Sequence, residues 1–256
     1  MMSLLGRTYV VSGGLSGIGL ATTVGLLKAG AHVCIADIAP NLPKELLEHP
    51  QQAKLSYHGP CDIRVREKCQ SFFNTVTKER GRINGLVNCA GISPSEGTMA
   101  SDQIFDEVFS LNVRGTWNLG TEAIRHMSEQ TFNNSKSGRG TIVNVGSIAS
   151  LVGLQSLPVY CMSKHAILGL TRAWAKDWAR QGIRVNAVAP GVTNTPLYKK
   201  TIGAAESRSM AEDLVAGIPM GRVAEPEEVA ETIIYLLSDE SSYISGQILP
   251  VNGGSV

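Results

Sequence analysis

The sequence predicts one α/β domain, residues 1–256, built as a doubly wound parallel sheet with helices on both faces. Short runs rich in Val and Ile recur along the chain without strict polar alternation, which is how strands buried on both faces read. Amphipathic stretches ending in Gly or Gln-Gly separate them. The hydrophobic content of 43% is spread evenly, and no linker divides it.

The predicted strands are TYVVS (8–12), AHVCIAD (31–37), GLVNCAG (85–91), TIVNVGS (141–147), IRVNAVAPG (183–191) and QILPVNGG (247–254). GIGLATTVGLLKAG and SKHAILGLTRAWAKDWARQG carry apolar residues at helical spacing and read as covering helices. Parallel strands joined this way need right-handed crossovers, and their ligand sits outside the carboxyl ends of the strands. HMSEQTFNNSKSGRG (126–140) breaks the rhythm; polar and rich in Asn, Ser and Gly, it reads as a surface loop. Within it Asn133, Asn134 and Ser135 spell a glycosylation sequon, read as accidental without a secretory signal.

Charge and cysteine usage narrow the function classes. A net charge of +1 with no basic run lacks the footprint of a nucleic-acid binder. The N-terminus MMSLLGRTYVVSGG has no signal-peptide pattern and no apolar run reaches membrane-spanning length, so no membrane association is expected. The five cysteines (Cys34, Cys61, Cys69, Cys89, Cys161) form no CxxC and have no His-rich neighbourhood, so neither a metal site nor a disulfide framework is expected. These features predict a cytoplasmic, reduced protein.

Two motifs carry chemistry. SGGLSGIG (12–19) follows the first strand and opens the first helix, with Gly13, Gly17 and Gly19 in GxxxGxG spacing. Gly13 permits the tight turn, while Ser16, Gly17, Ile18 and Gly19 bring backbone N–H groups and a helix N-terminus to a pyrophosphate. Asp37 ends the second strand 18 positions after Gly19, close to where an acidic residue meets the adenosine ribose of a dinucleotide. Its carboxylate accepts from both ribose hydroxyls but would face a 2′-phosphate as like charge, which favours NAD over NADP. The second motif is YCMSK, in which Tyr160 and Lys164 stand four apart and share one helix face. A nearby cation favours phenolate and would tune the tyrosine downward from its ordinary pKa, although a Tyr and a Lys at this spacing also arise by chance, and the rest of the chain must decide.

With these residues in place the chain resembles the short-chain dehydrogenase/reductase family over essentially its whole length. The matching stretches are SGGLSGIG, Asp37, CDI (61–63), NCAG (88–91), LNVRG (111–115), VGSIAS (145–150), YCMSK, RVNAVAPG (184–191) and the tail from GRVAEPEEVA to SGQILPVNGG. The resemblance implies a Rossmann-type sheet and assigns roles. Asp62 and Ile63 are expected at the adenine, and Asn88, Ala90 and Gly91 at the strand end beside the adenosine ribose. Pro190, Gly191, Val192, Thr193 and Thr195 are expected to flank the nicotinamide carboxamide and phosphates. Asn112, Ser147, Tyr160 and Lys164 match the catalytic set, with Asn112 expected to hold a water linking Lys164 to solvent. Ser12 replaces the usual Thr and NCAG the usual NNAG. Ser16 and Ile38 stand where NADP users often carry a basic residue.

The residues then describe a reaction. Tyr160 takes or gives the hydroxyl proton of a secondary alcohol or its ketone, Ser147 holds the oxygen, and Lys164 binds the nicotinamide ribose and favours phenolate. NAD is the expected cofactor and a small alcohol or ketone the expected partner. An NADPH-dependent ketone or 3-oxoacyl reductase and a non-catalytic dinucleotide-binding regulator are the alternatives. Ile92, Ser93, Pro94, Leu151, Val152, Gln155 and a mobile substrate loop at about 192–217 should form a largely apolar pocket suited to a hydrophobic or cyclic alcohol. Trp174 and Trp178 read as packing or subunit-contact residues, and the apolar faces of their helix and of the tail predict a homo-oligomer, dimer or tetramer.

Overall fold

In the computed structural model, which describes residues 4–132, 136, 138–202 and 215–256, the strands and helices alternate as the apolar runs predict. The strands are β1 (Thr8–Ser12), β2 (His32–Ala36), β3 (Leu55–Ser56), β4 (Gly85–Asn88), β5 (Gly140–Val145), β6 (Ile183–Pro190) and β7 (Ile248–Val251). Around them lie α1 (Gly17–Lys28), α2 (Lys44–Leu47), α3 (Arg66–Arg80), α4 (Asp102–Val108), α5 (Thr116–Glu129), α6 (Pro158–Trp178), α7 (Pro196–Ile202) and α8 (Pro226–Leu237). The seven strands form one sheet in the order β3-β2-β1-β4-β5-β6-β7, and every neighbouring pair is parallel. The order reverses between β1 and β4, which opens a crevice at their carboxyl ends.

Side-chain alternation along each strand divides the core into two layers. On one face Val11, Val33, Ile35, Val143 and Val188 pack with Leu26 and Leu27 of α1 and Val229, Ile233 and Leu236 of α8. On the other, Val10, Cys34, Leu86, Ile142 and Val185 meet Phe73 and Val76 of α3, Leu119 and Met127 of α5 and Trp174 of α6. Both faces being apolar explains why the sequence runs lack polar alternation.

Four elements differ from the sequence reading, the first being β4, which stops at Asn88 rather than Gly91. The two residues of β3, paired Val33↔Leu55 and Cys34↔Ser56, lie in a polar stretch with no Val/Ile run to announce them. Helix α5 continues to Glu129, so His126 to Glu129 are helical rather than loop, because fully buried Met127 completes the apolar face of α5. The connector beyond it is anchored: the Gln130 amide accepts from Ile83 N (2.7 Å) and donates to the carbonyls of Ile83 and Arg139. Asn133, Asn134 and Ser135 lie outside the described residues, as does 203–214 of the expected substrate loop. Finally, β7 is shorter than the run that predicted it. Its Pro250, which cannot donate to a ladder, fits the outer position that β7 holds.

Among the described residues no helix is long and apolar enough to cross a membrane, and no three His, Cys, Asp or Glu side chains converge as a metal site requires. All five cysteines are free.

Candidate active site

The crevice at the strand ends is a cleft of about 470 Å³. The β1–α1 turn forms its floor. Gly13 takes φ +63°, and a Cβ there would stand 2.9 Å from Ala90 Cα. A Cβ on Gly19 would reach 2.0 Å from the Gly13 carbonyl, so that position admits only glycine and lets α1 start against the strand. Ser12 does more than replace a threonine: its Oγ accepts from the backbone N–H groups of both Cys89 (3.0 Å) and Ala90 (3.1 Å), tying β4 to β1 where the two part. The N-terminus of α1, at Ser16, Gly17 and Ile18, opens into the cleft. The turn therefore offers unencumbered N–H groups to an anion, as a dinucleotide cofactor requires.

Asp37 sits half-buried on the cleft wall. One carboxylate oxygen accepts from Leu15 N (3.1 Å) and the other from Ala39 N (3.0 Å). Each retains lone-pair capacity for a hydroxyl donor. Ile38 beside it is exposed. Cys61 and Ile63 continue the wall, whereas Asp62 does not line it: its carboxylate is forked by Arg64 at 2.7 to 3.1 Å, which holds it below its ordinary pKa.

At the other end, β5 stops at Val145, and Gly146 and Ser147 turn into a short 3-10 segment, Ile148–Ser150. Ser147 Oγ accepts from Ala149 N (3.1 Å) while Ser147 N donates to Ser150 Oγ (3.1 Å), which fixes the serine in place. Helix α6 then brings Tyr160 and Lys164 alongside, with Lys164 Nζ 5.6 Å from the Tyr160 ring centre. The ammonium is buried and donates to the Val145 carbonyl (3.0 Å). Burial drives its pKa down to about 8.

Tyr160 differs from the sequence expectation. Its phenol lies above its ordinary pKa, because burial outweighs the hydrogen bond with Ser147 that pulls it down. A cation one helical turn away does not overcome desolvation of the phenolate.

Asn112 is held by its own side chain. It sits in a π-helical turn, Phe109–Gly115, that joins α4 to α5. Its Oδ1 accepts from Ile92 N (2.9 Å), and its Nδ2 donates to Ile92 O (3.0 Å) and Ser163 Oγ (3.1 Å). The side-chain amide thus clamps the loop after β4 onto α6. Gly91 makes room for this clamp, since a Cβ there would stand 3.2 Å from Asn112 Oδ1 and 3.5 Å from Lys164 Nζ.

The cleft brings together Gly13, Ser16, Gly17, Ile18, Asp37, Ile38, Ile63, Ala90, Gly91, Ser147, Tyr160, Lys164, Pro190, Gly191, Val192, Thr193 and Thr195. Gly19, Asp62, Asn88 and Asn112 stand behind its walls. Asn88 donates to Asn144 Oδ1 (2.9 Å), and Asn144 donates to Thr171 Oγ1 (2.9 Å), a buried polar chain joining β4, β5 and α6. Of the expected pocket residues, Ile92, Ser93, Leu197 and Tyr198 line the cleft; Pro94, Leu151, Val152 and Gln155 do not, and Ile148 and Leu154 take their place.

Glu96 was not legible as a site residue. Buried in the loop after β4, its carboxylate accepts from Val159 N and Tyr160 N, both at 2.7 Å. The signal was indirect: LPVY starts a helix with Leu157 at the N-cap, which has no side-chain oxygen to cap it, so another part of the chain must.

A parallel sheet with a glycine-lined turn at its switch point and a Ser, Tyr and Lys on the opposite wall defines a nicotinamide-dinucleotide oxidoreductase of alcohols and carbonyls. The chain belongs to the short-chain dehydrogenase/reductase family: the family model described as Enoyl-(Acyl carrier protein) reductase matches residues 13–255. It is 35% identical, over all of both chains, to the 3-oxoacyl-[acyl-carrier-protein] reductase FabG of Thermotoga maritima. To the 3alpha-hydroxysteroid dehydrogenase of Mediterraneibacter gnavus it is 34% identical, over 99% of this chain and 98% of that one. Among solved structures, ElxO with NADP bound superposes with a TM-score of 0.87 at 31% identity, covering 97% of this chain and 98% of that chain.

Proposed function

We propose that the protein is an NAD(H)-dependent dehydrogenase of hydrophobic or cyclic secondary alcohols and their ketones, with Tyr160 as proton donor and acceptor. The observation that carries this reading is the convergence of Ser147, Tyr160 and buried Lys164 on a cleft whose other end holds Asp37 and the glycine turn. A bound nicotinamide supplies the hydride acceptor or donor, and the oxidised ring adds positive charge. The protein's part is to bind, orient and move one proton.

In the reductive direction the protonated Tyr160 phenol donates to the carbonyl oxygen as a C–H bond forms at the carbon, and Ser147 Oγ–H holds that oxygen as charge develops. In the oxidative direction the phenolate accepts the alcohol proton. Burial raises the phenol above its ordinary pKa, so alcohol oxidation, which needs the phenolate, should rise with pH; the Lys164 ammonium, which favours the phenolate, keeps its charge below about 8. The cleft lining that holds Tyr160 also includes Ile92, Ile148, Leu154, Leu197 and Tyr198, with Ser93 among them. Such a lining supports an apolar substrate over a sugar or a charged acid.

Cofactor choice has a competing reading, since ElxO binds NADP and FabG is a 3-oxoacyl reductase. Asp37 supports NAD: its oxygens are already oriented by Leu15 N and Ala39 N, and the neighbouring Ile38 carries no cation for a 2′-phosphate. Self-association as a dimer or tetramer is supported by exposed apolar side chains, Trp117 on α5 (42%) and Met162 on α6 (51%) among them. A reduced, cytoplasmic setting fits the five free cysteines.

A panel of secondary alcohols screened for NADH formation should find turnover that Tyr160→Phe lowers at least about a hundredfold, with NAD binding by calorimetry nearly unchanged. Turnover retained in the variant removes Tyr160 from the proton step. Exchanging NAD for NADP replaces a hydroxyl donor to Asp37 by a dianion, at a cost of about 1.5 to 3 kcal/mol before repulsion is counted. The ratio of kcat/KM values should therefore favour NAD by at least about tenfold, and Asp37→Ala should narrow it; equal values in the wild type, or an NADP preference, count against the assignment. Light scattering at micromolar concentration should give a dimer or tetramer, and monomer alone contradicts self-association.

A further inference from the structure

Helix α6 begins without a local cap. Leu157 occupies the N-cap and Pro158 the first helical position, so the N–H groups of Val159 and Tyr160 have no acceptor from their own segment. Both are taken by Glu96, from a loop 63 and 64 residues earlier, with Oε2 on Val159 N and Oε1 on Tyr160 N, each at 2.7 Å. Both carboxylate oxygens thus face the positive end of the helix dipole. One of the two donors is the backbone of Tyr160 itself. The same loop is fixed at its start, where Ile92 is clamped by Asn112, so residues 92–96 form a brace between the π-helical turn and the first turn of α6.

We propose that Glu96 is a positioning residue for the proton-transfer step: its carboxylate holds the first turn of α6 so that the Tyr160 phenol stands against Ser147, and its negative charge weighs against the phenolate. This rests on the reading of Tyr160 as the acid/base. Other elements present few groups to compete. From its own helix Tyr160 faces Lys164 and Cys161, with His165 one turn on, bonded through Nδ1 to the Cys161 carbonyl. Ser147 approaches from the β5 turn, and Cys89 and Tyr198 line the cleft from the end of β4 and from α7. Of these described groups Glu96 is the anion that disfavours the phenolate, while Lys164, with its pKa lowered to about 8, favours the phenolate only at a pH where it keeps its proton. The direction agrees with the raised phenol, where burial is the main cause and Glu96 adds to it.

The carboxylate therefore has two separable effects. Removing its charge while keeping its shape should let the phenol ionise at lower pH, even where poorer positioning slows turnover. A merely structural brace has no such signature.

The test is a titration of tyrosinate absorbance in the wild type and in Glu96→Gln, each measured against its own Tyr160→Phe counterpart so that one phenol among six tyrosines is read. Each pair is run ligand-free and with saturating NAD. The midpoint should fall by about half a pH unit or more in Glu96→Gln, with the dissociation constant for NADH, read by fluorescence, within about threefold of wild type. If the single variant does not fold, Leu157→Ser is added to supply a neutral local cap, and the midpoint should still fall. A midpoint that stays at the wild-type value or rises in a folded variant overturns the proposal. The underlying reading is judged separately: turnover surviving in Tyr160→Phe removes the acid/base role, whereas an inactive Tyr160→Phe with an unmoved midpoint removes Glu96 alone.

Discussion

A buried ammonium is the constraint around which the site is arranged. Lys164 is removed from water by α6 on one side and the ends of β4 and β5 on the other, and the hydrogen-bond acceptor that its Nζ reaches is the last carbonyl of β5, at 3.0 Å. An unpaired charge in such a place is costly, so its surroundings must be ordered. Gly91 leaves the space, Asn112 stands close by, and the β5 carbonyl is held in place by the ladders to β4 and β6. Ser147 and Tyr160 inherit their positions from the same two elements. The chemistry thus depends on the packing of one helix against the end of the sheet.

The cleft has two ends with different physics. At the turn after β1, backbone N–H groups and a helix terminus face an anion, and nothing there needs to titrate. Around Tyr160, burial moves two titratable groups in opposite directions, the phenol up and the amine down. Both shifts disfavour the charged form and share one cause, desolvation. A phenol that stays protonated can pass its proton to a carbonyl oxygen, and the phenolate left behind then stands beside an amine that still carries most of its proton at neutral pH.

Much of this was legible in the sequence because it is written in local patterns. Runs of Val and Ile located six of the seven strands, and the GxxxGxG spacing with Asp37 located the crevice. What stayed hidden depends on contacts between distant segments. Two-residue β3 has no run of its own and exists through pairing with β2. Asn88 reads as a ligand-facing strand end, yet its amide turns inward to Asn144, since which face a strand residue takes follows from register. Glu96 looks like one polar residue in a Pro, Ser and Gly loop until α6 is seen to lack a cap. The rise of the Tyr160 pKa was missed for a related reason: spacing reports the neighbouring cation, while desolvation is a property of the assembled cleft.

The claim that Lys164 is desolvated yet still protonated is open to direct observation. A nitrogen-15 NMR titration of lysine side chains, comparing the ligand-free wild type with Lys164→Met to assign the signal, should give a midpoint for Lys164 near 8, charged below and neutral above. A midpoint near the ordinary 10.5 would mean that water reaches the amine, and that its burial does not govern the site.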